Sequence, residues 1–132
     1  ICSAIVGELL NIGLPAKYML WRDEVTSLKA NIMDDVAYGR AMGRLKTVKV
    51  LYIDDFFKCK RGSTPTDAEV KIAFEILNSR YNSKNLITII SSELKVQDIL
   101  SIDEAVGSRI YHRTKEYCLE IPRDKNRNYR LR

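Results

Sequence analysis

Cysteine and histidine, the residues that build zinc centres and disulfide frameworks, are scarce in this sequence of 132 residues. The three cysteines, at positions 2, 59 and 118, lie far apart without a Cys-x-x-Cys pair, and there is a single histidine. This pattern argues against zinc or disulfides and favours the reducing cytoplasm. No apolar run approaches a length of about 18 residues, which a membrane-spanning helix needs, so we expect no membrane partner.

A glycine-rich loop of the form Gly-x-x-x-x-Gly-Lys-Ser/Thr, which cradles phosphates, is also absent. The sequence does have 45% apolar residues, which is enough to bury one core. Its net charge of +5 favours an anionic partner such as nucleic acid, although many basic domains simply have solvated surfaces.

Helix and strand patterns alternate along the chain. Bare apolar, β-branched runs at 48–53 and 86–90 predict strands buried on both faces of a sheet, and shorter strands are expected at 18–21 and 117–121. Amphipathic periodicity and capping residues predict helices at 3–11, 23–33, 34–45, 66–77, 96–100 and 103–115. Such alternation implies parallel strands with right-handed crossovers, and therefore a three-layer, doubly wound α/β sheet.

Two adjacent carboxylates, Asp54 and Asp55, directly follow the first buried run. Ligands of open α/β sheets bind at the carboxyl ends of the strands, so both acids are expected in the ligand crevice. Side by side they repel each other unless a cation is near, and Mg²⁺ is the simplest candidate. This is the form of a Walker B motif, in which Asp54 would hold Mg²⁺ and Asp55 would orient or deprotonate the attacking water. An Asp-Asp turn or helix cap after a strand is the alternative.

Three motifs follow one another along the chain: Leu-Tyr-Ile-Asp-Asp at 51–55, Ile-Thr-Ile-Ile-Ser-Ser-Glu-Leu at 87–94, and Ile-Asp-Glu-Ala-Val-Gly-Ser-Arg-Ile at 102–110. Together they resemble the AAA+ helicase loaders of the DnaC and DnaI type, especially phage-borne and Gram-positive relatives. The resemblance extends from residue 5 to residue 130. It implies a sheet of the AAA+/P-loop NTPase type that lacks its first strand and P-loop, because the chain would start just after its Walker A motif.

The resemblance also implies roles for single residues. Ser92 or Glu93 would be the polar sensor 1 residue, although a carboxylate donates no hydrogen bond unless it is protonated. Arg109 matches the arginine finger offered to the ATP of a neighbouring subunit, with Arg113 one helical turn later; a surface arginine or an ion pair is the alternative. Arg130 would contact phosphate in a sensor 2-like way, or belong to a frayed basic tail.

Basic residues are frequent between positions 23 and 49, the region that corresponds to the paired helices with which loaders and initiators line a single-stranded DNA channel. The candidate DNA contacts are Tyr38, Arg40, Arg44 and Lys46. Basic side chains would follow the phosphate backbone while the aromatic ring stacks on a base. A solvated helix face would show the same pattern. A second small basic cluster at 58–61 suits phosphate, DNA or solvent equally.

The resulting prediction is a protein that uses ATP and Mg²⁺ to load a hexameric replicative helicase onto single-stranded DNA during DNA replication. It would assemble as a homo-oligomer through ATP at its subunit interfaces. Residues 1–122 would form a partial ATPase domain, inactive alone without the Walker A motif, and residues 123–132 a basic tail. Two alternatives stay open: an insertion-sequence transposition helper ATPase, and a non-catalytic α/β binding module whose acidic pair is structural.

Overall fold

Three apolar segments form a parallel sheet in the computed structural model, which describes residues 1–124 and residue 126. The strands are β1 (Ala16–Leu20), β2 (Val50–Asp54) and β3 (Ile87–Ile90), in the order β1-β2-β3. Pairing joins Ala16 to Val50 and Val50 to Ile87, so the carboxyl ends of all three strands meet at one edge. The central strand β2 is buried except at its last residue, as its apolar run predicts.

The helices are α1 (Cys2–Asn11), α2 (Trp21–Ala30), α3 (Asp35–Thr47), α4 (Asp67–Tyr81), α5 (Val96–Ile102) and α6 (Glu104–Thr114). Side-chain caps fix where three of them begin. Asp34 accepts a hydrogen bond from the Ala37 N–H at the start of α3, and Thr66 and Glu69 form a capping box at the start of α4. Asp103 caps α6 in the same way.

Helices lie on both faces of the sheet. The strand order advances in one direction, so right-handed crossovers place α2, α3 and α4 on the same face. The main core forms there, where Met19, Leu51 and Ile53 of the sheet pack against helical residues such as Ile76. Helix α1 contacts β1 and β2 and covers the opposite face of the central strand.

Two strand predictions need correction. The segment 117–121 forms no strand, and its alternating Tyr117, Leu119 and Ile121 are 83%, 68% and 57% exposed because no strand of the described chain pairs with them. The run at 86–90 predicts a strand buried on both faces and therefore central, yet within the described residues β3 pairs only with β2 and is half-buried along its length.

Arg80 on α4 is a charged residue inside the core, 2% exposed. Its guanidinium donates to the Leu45 and Val48 carbonyls at 3.0 and 2.8 Å, and to the Ile87 carbonyl and the Thr88 hydroxyl at 2.8 Å each. Burial lowers the pKa of Arg80 to about 10, which still leaves it a cation at neutral pH. Arg80 therefore ties the end of α3 to β3.

Across residues 1–124 and 126, no helix combines the length and apolar character that crossing a bilayer requires.

Candidate functional site

Asp54, the last residue of β2, has a carboxylate that accepts several hydrogen bonds. Tyr18 donates to its Oδ2 at 2.8 Å, while Tyr52 at 3.0 Å and the Ser91 hydroxyl both donate to its Oδ1. The Asp55 backbone N–H also donates to Oδ1, at 3.1 Å. Burial alone would raise the pKa of Asp54, but the hydrogen bonds from Ser91, Tyr18 and Tyr52 outweigh it and hold the pKa below its usual value. Asp54 is therefore a fixed anion at neutral pH.

Strand register brings these donors together. Tyr18 pairs with Tyr52 across β1 and β2, and both precede the sheet edge by two positions, on the face that Asp54 shares. Ser91 follows Ile90, the partner of Ile53, and so lies opposite Asp54. The hydrogen bond that the half-exposed Tyr18 donates to Asp54 raises the pKa of Tyr18 to about 12. Sequence reasoning missed all three donors, although the alignment of two buried strand ends could have pointed to Ser91.

Asp55 begins a tight turn after β2. Asp55 and Phe57 have positive φ values of 54° and 57°, which are uncommon for non-glycine residues and uncommon above all for a bulky one. The turn is held by the buried Phe56 and Phe57 rings, stacked 4.1 Å apart and packed against Trp21, and by the Phe56 N–H, which donates to the Ser91 carbonyl at 2.9 Å. The backbone thus fixes where the Asp55 side chain leaves the sheet.

Lys58 bridges two of the acids at this edge. Its ammonium lies 3.2 Å from Asp55 Oδ2 and 3.2 Å from Glu93 Oε1. Hydrogen bonds to Asp55 and Glu93 raise the pKa of Lys58, which stays charged at neutral pH. An open cleft beside this group is lined by Leu20, Arg22, Asp23, Thr26, Asp55 and Lys58.

The two predicted sensor residues differ in their contacts. The Ser92 hydroxyl donates to the Phe56 carbonyl at 2.8 Å and accepts from the Leu94 N–H at 3.1 Å, so it braces the turn. Glu93 reaches the acidic edge only through Lys58. Of the serines that follow β3, it is Ser91 that touches Asp54 directly.

Arg109 and Arg113 both lie on α6, with different surroundings. The Arg109 guanidinium donates to Asn78 Oδ1 at 3.0 Å and lies 4.8 Å from the centre of the Phe74 ring, so it is half-buried between α4 and α6. Arg113 is exposed, with its guanidinium 5.9 Å from the centre of the Tyr81 ring. Arg113 also donates to the Ser83 carbonyl at 3.5 Å, so it is the more exposed of the two arginines but is not without contacts.

The predicted DNA contacts divide into two pairs. Tyr38 donates to Glu75 Oε2 at 3.0 Å and Lys46 lies 2.6 Å from Glu75 Oε1, while the Tyr38 ring packs against the core. Burial, with help from Glu75, raises the pKa of Tyr38 to about 12. The Tyr38 ring is therefore partly covered by the protein, and its stacking on a base stays a prediction. Arg40 and Arg44 are exposed on one face of α3, and their side chains have no partner within the described part of the chain.

Arg130 lies outside the described residues, and the division between 1–122 and 123–132 stays a prediction.

The oxygen donors at the sheet edge suit a Mg²⁺ ion that keeps part of its water shell. They do not suit a metal whose ligands all come from the protein. The described residues contain no group of three or more His, Cys, Asp or Glu side chains that could hold a metal. Mg²⁺ is commonly bound by one or two carboxylates, with water and phosphate oxygens completing its shell. Asp54 Oδ2 accepts a hydrogen bond only from Tyr18 among the described residues, and Asp55 is next to it, so these two acids are the groups that would hold the ion.

Comparisons with known proteins place this geometry in context. No protein-family model matches the chain. The chain is 41% identical over 133 residues to the uncharacterized protein YqaM of Bacillus subtilis (strain 168), covering 98% of this chain and 41% of that protein. It is 34% identical over 122 residues to the phage-like element PBSX protein XkdC of the same strain, covering 90% and 44%. The chain thus spans less than half the length of these curated relatives.

A solved structure of a DNA replication initiation factor is similar in fold, with a TM-score of 0.62 over 92% of this chain and 42% of that one, at 17% identity. The predicted fold class is confirmed: the chain is an open parallel α/β sheet with helices, similar to that replication factor.

Proposed function

We propose that the chain is part of an ATP-hydrolysing protein of the AAA+ type that acts in DNA replication. The observation that carries the proposal is the ionised Asp54, held by Tyr18, Tyr52 and Ser91 at the carboxyl edge of a parallel sheet, with Asp55 directly after it. The fold, similar to that of a DNA replication initiation factor, supports the same assignment.

In this proposal Asp54 and Asp55 divide the work of the site. Asp54 is oriented by its donors and would hold the Mg²⁺ that accompanies the nucleotide phosphates. Asp55 leaves the sheet through a fixed turn and would accept a proton from water, or orient it, for attack on the terminal phosphate. Bound Mg²⁺ would neutralise the charge that develops on the phosphate oxygens.

The test uses the longest reading frame that contains this sequence. Asp55→Asn should slow ATP hydrolysis by about a hundredfold or more while ATP binding is retained, because a proton acceptor is lost and the shape is kept. Asp35→Asn, an exposed acid at the start of α3, is the matched control and should keep normal turnover. Unchanged turnover in Asp55→Asn would remove the assignment.

We further propose that the protein loads a hexameric replicative helicase onto single-stranded DNA, with Arg40 and Arg44 contacting phosphates. These arginines are four residues apart and both exposed. Changing both to Ala should weaken binding to every oligonucleotide. It should also make the slope of log affinity against log salt concentration shallower by about one unit or slightly more. Lys84→Ala, which removes an exposed basic side chain outside α3, is the control and should change the slope little, whereas Lys46→Ala tests whether Lys46, which is paired with Glu75, also contacts DNA. Fluorescence anisotropy at several salt concentrations measures both quantities, and an unchanged slope in the double variant would assign this face to solvent or to a protein.

For the homo-oligomer, we propose that an arginine of α6 reaches the nucleotide of the neighbouring subunit: Arg109, as the sequence predicts, or the more exposed Arg113, which is tested first. A mixture of Arg113→Ala subunits and Asp54→Ala subunits should regain some ATP hydrolysis, because one class of interface then combines an intact acid with an intact arginine. If the mixture assembles and regains nothing, the same experiment with Arg109→Ala decides whether Arg109 is the finger.

A further inference from the structure

The ion bridge of Lys58 has no role in the functions proposed so far. Its ammonium is 3.2 Å from Asp55 Oδ2 and 3.2 Å from Glu93 Oε1, so a single positive charge serves two carboxylates from two different loops. One loop follows β2 and the other follows β3. Without Lys58, these carboxylates would face each other across the sheet edge without a neutralising charge.

We propose that Lys58 is a built-in counter-ion that holds Asp55 and Glu93 together in the absence of a divalent cation and lowers the affinity of this edge for such a cation. The inference rests on the proposed function, because the divalent cation is the one assigned to Asp54 and Asp55. Lys58 acts through Asp55 and is therefore a positioning residue.

The exposure of the three side chains makes the bridge exchangeable. The side chains of Lys58, Asp55 and Glu93 are 39%, 37% and 66% exposed, so water reaches every charge. Ion pairs at such positions are weak, and a divalent cation with twice the charge can displace an ammonium from a carboxylate. The cleft that Lys58 lines also contains Asp23, a second carboxylate with which the displaced ammonium can pair.

Manganese titration of the 132-residue chain tests the proposal without any nucleotide. Mn²⁺ stands in for Mg²⁺ and broadens the amide NMR signals of residues near its site. Lys58→Met should bind Mn²⁺ about three- to tenfold more tightly than the unchanged chain, the change expected when one or two exposed ion pairs no longer compete. Lys60→Met removes the same charge two residues away, from an exposed side chain, and should change the affinity by less than about twofold.

Two further variants test where the cation binds and whether Lys58→Met is correctly folded. Adding Asp55→Asn to Lys58→Met should abolish the gain, because the freed carboxylate is gone. Lys58→Gln should reproduce the gain if Lys58→Met alters the fold, which circular dichroism detects. Equal affinities of Lys58→Met and Lys60→Met, or no broadening at residues 54–58 in any variant, would overturn the proposal. The titration measures cation binding alone, so it can give a negative result while Asp55→Asn still slows ATP hydrolysis in the longest reading frame that contains this sequence. The two failures are therefore distinguishable.

Discussion

Replacing Arg80 by Met should destabilise the domain more than any change on its surface. Arg80 is 2% exposed, and its guanidinium donates four hydrogen bonds, three to backbone carbonyls and one to a hydroxyl. A hydrogen bond to a charged group contributes about 1.5–3 kcal/mol, and a buried acceptor left without its donor costs about 1–3 kcal/mol. Removing the burial penalty of the charge offsets part of this loss, so we expect a net loss of about 3 kcal/mol or more. Domains have total unfolding free energies of about 5–15 kcal/mol, so the loss is a large share.

Urea unfolding followed by circular dichroism measures this effect on the 132-residue chain. With a slope of about 2 kcal/mol per molar urea, the midpoint should fall by about 1.5 M. Arg80→Lys keeps the charge but not the planar arrangement of donors. Its free energy of unfolding should fall by about half as much as that of Arg80→Met. Arg40→Met removes an exposed arginine without a side-chain partner in the described chain. Its free energy of unfolding should stay within about 0.5 kcal/mol of that of the unchanged chain. If the free energy of unfolding of Arg80→Met lies within about 1 kcal/mol of that of Arg40→Met, the reasoning about the buried guanidinium is wrong.

Three further predictions concern local packing and are checked by the same unfolding measurement. Gly107→Ala would place a Cβ 2.6 Å from the Leu100 Cα where α5 and α6 meet, so it should destabilise by about 1–3 kcal/mol, and a neutral result would mean that the helices separate easily. Gly43→Ala in α3 meets nothing within 4 Å and should stabilise by about 0.5–1 kcal/mol; a loss would contradict the open space there. Thr66→Ala removes the cap of α4 and should cost about 0.5–2 kcal/mol, an expectation that an unchanged midpoint would refute.

Local patterns predicted most of the elements because the responsible residues are neighbours in sequence. Thr66 and Glu69 are three residues apart and begin α4 as predicted, and the apolar run before Asp54 forms the central strand. Trp21 was expected at the end of a strand and instead opens α2, because strand and helix follow without a connecting residue. Boundaries of this kind depend on packing rather than on propensity.

Most contacts between distant parts of the chain depend on tertiary packing that local sequence patterns do not show. Tyr18 and Ser91 meet Asp54 only after the strands are in register, and nothing near Arg80 in sequence signals that four acceptors surround it. The segment 117–121 shows the opposite error. Its alternating apolar residues satisfy the pattern of a strand, but a strand also needs a partner, and in the described chain it has none.

Within the described residues, the side of β3 that faces away from β2 has no partner strand, and this bears on how the chain behaves at high concentration. Residues 87–90 are Ile-Thr-Ile-Ile, all β-branched and uncharged, and in the described chain only β2 pairs with them. Edge strands of natural proteins usually carry a charge, a proline or a bulge that discourages other chains from adding to the sheet, and β3 has no charged residue or proline. Short, uncharged segments rich in β-branched residues are also the ones that stack into fibrils. Copies of the chain repel one another through the net charge of +5, but pairing through β3 should have the larger effect. The strand should therefore determine the concentration above which the chain self-associates.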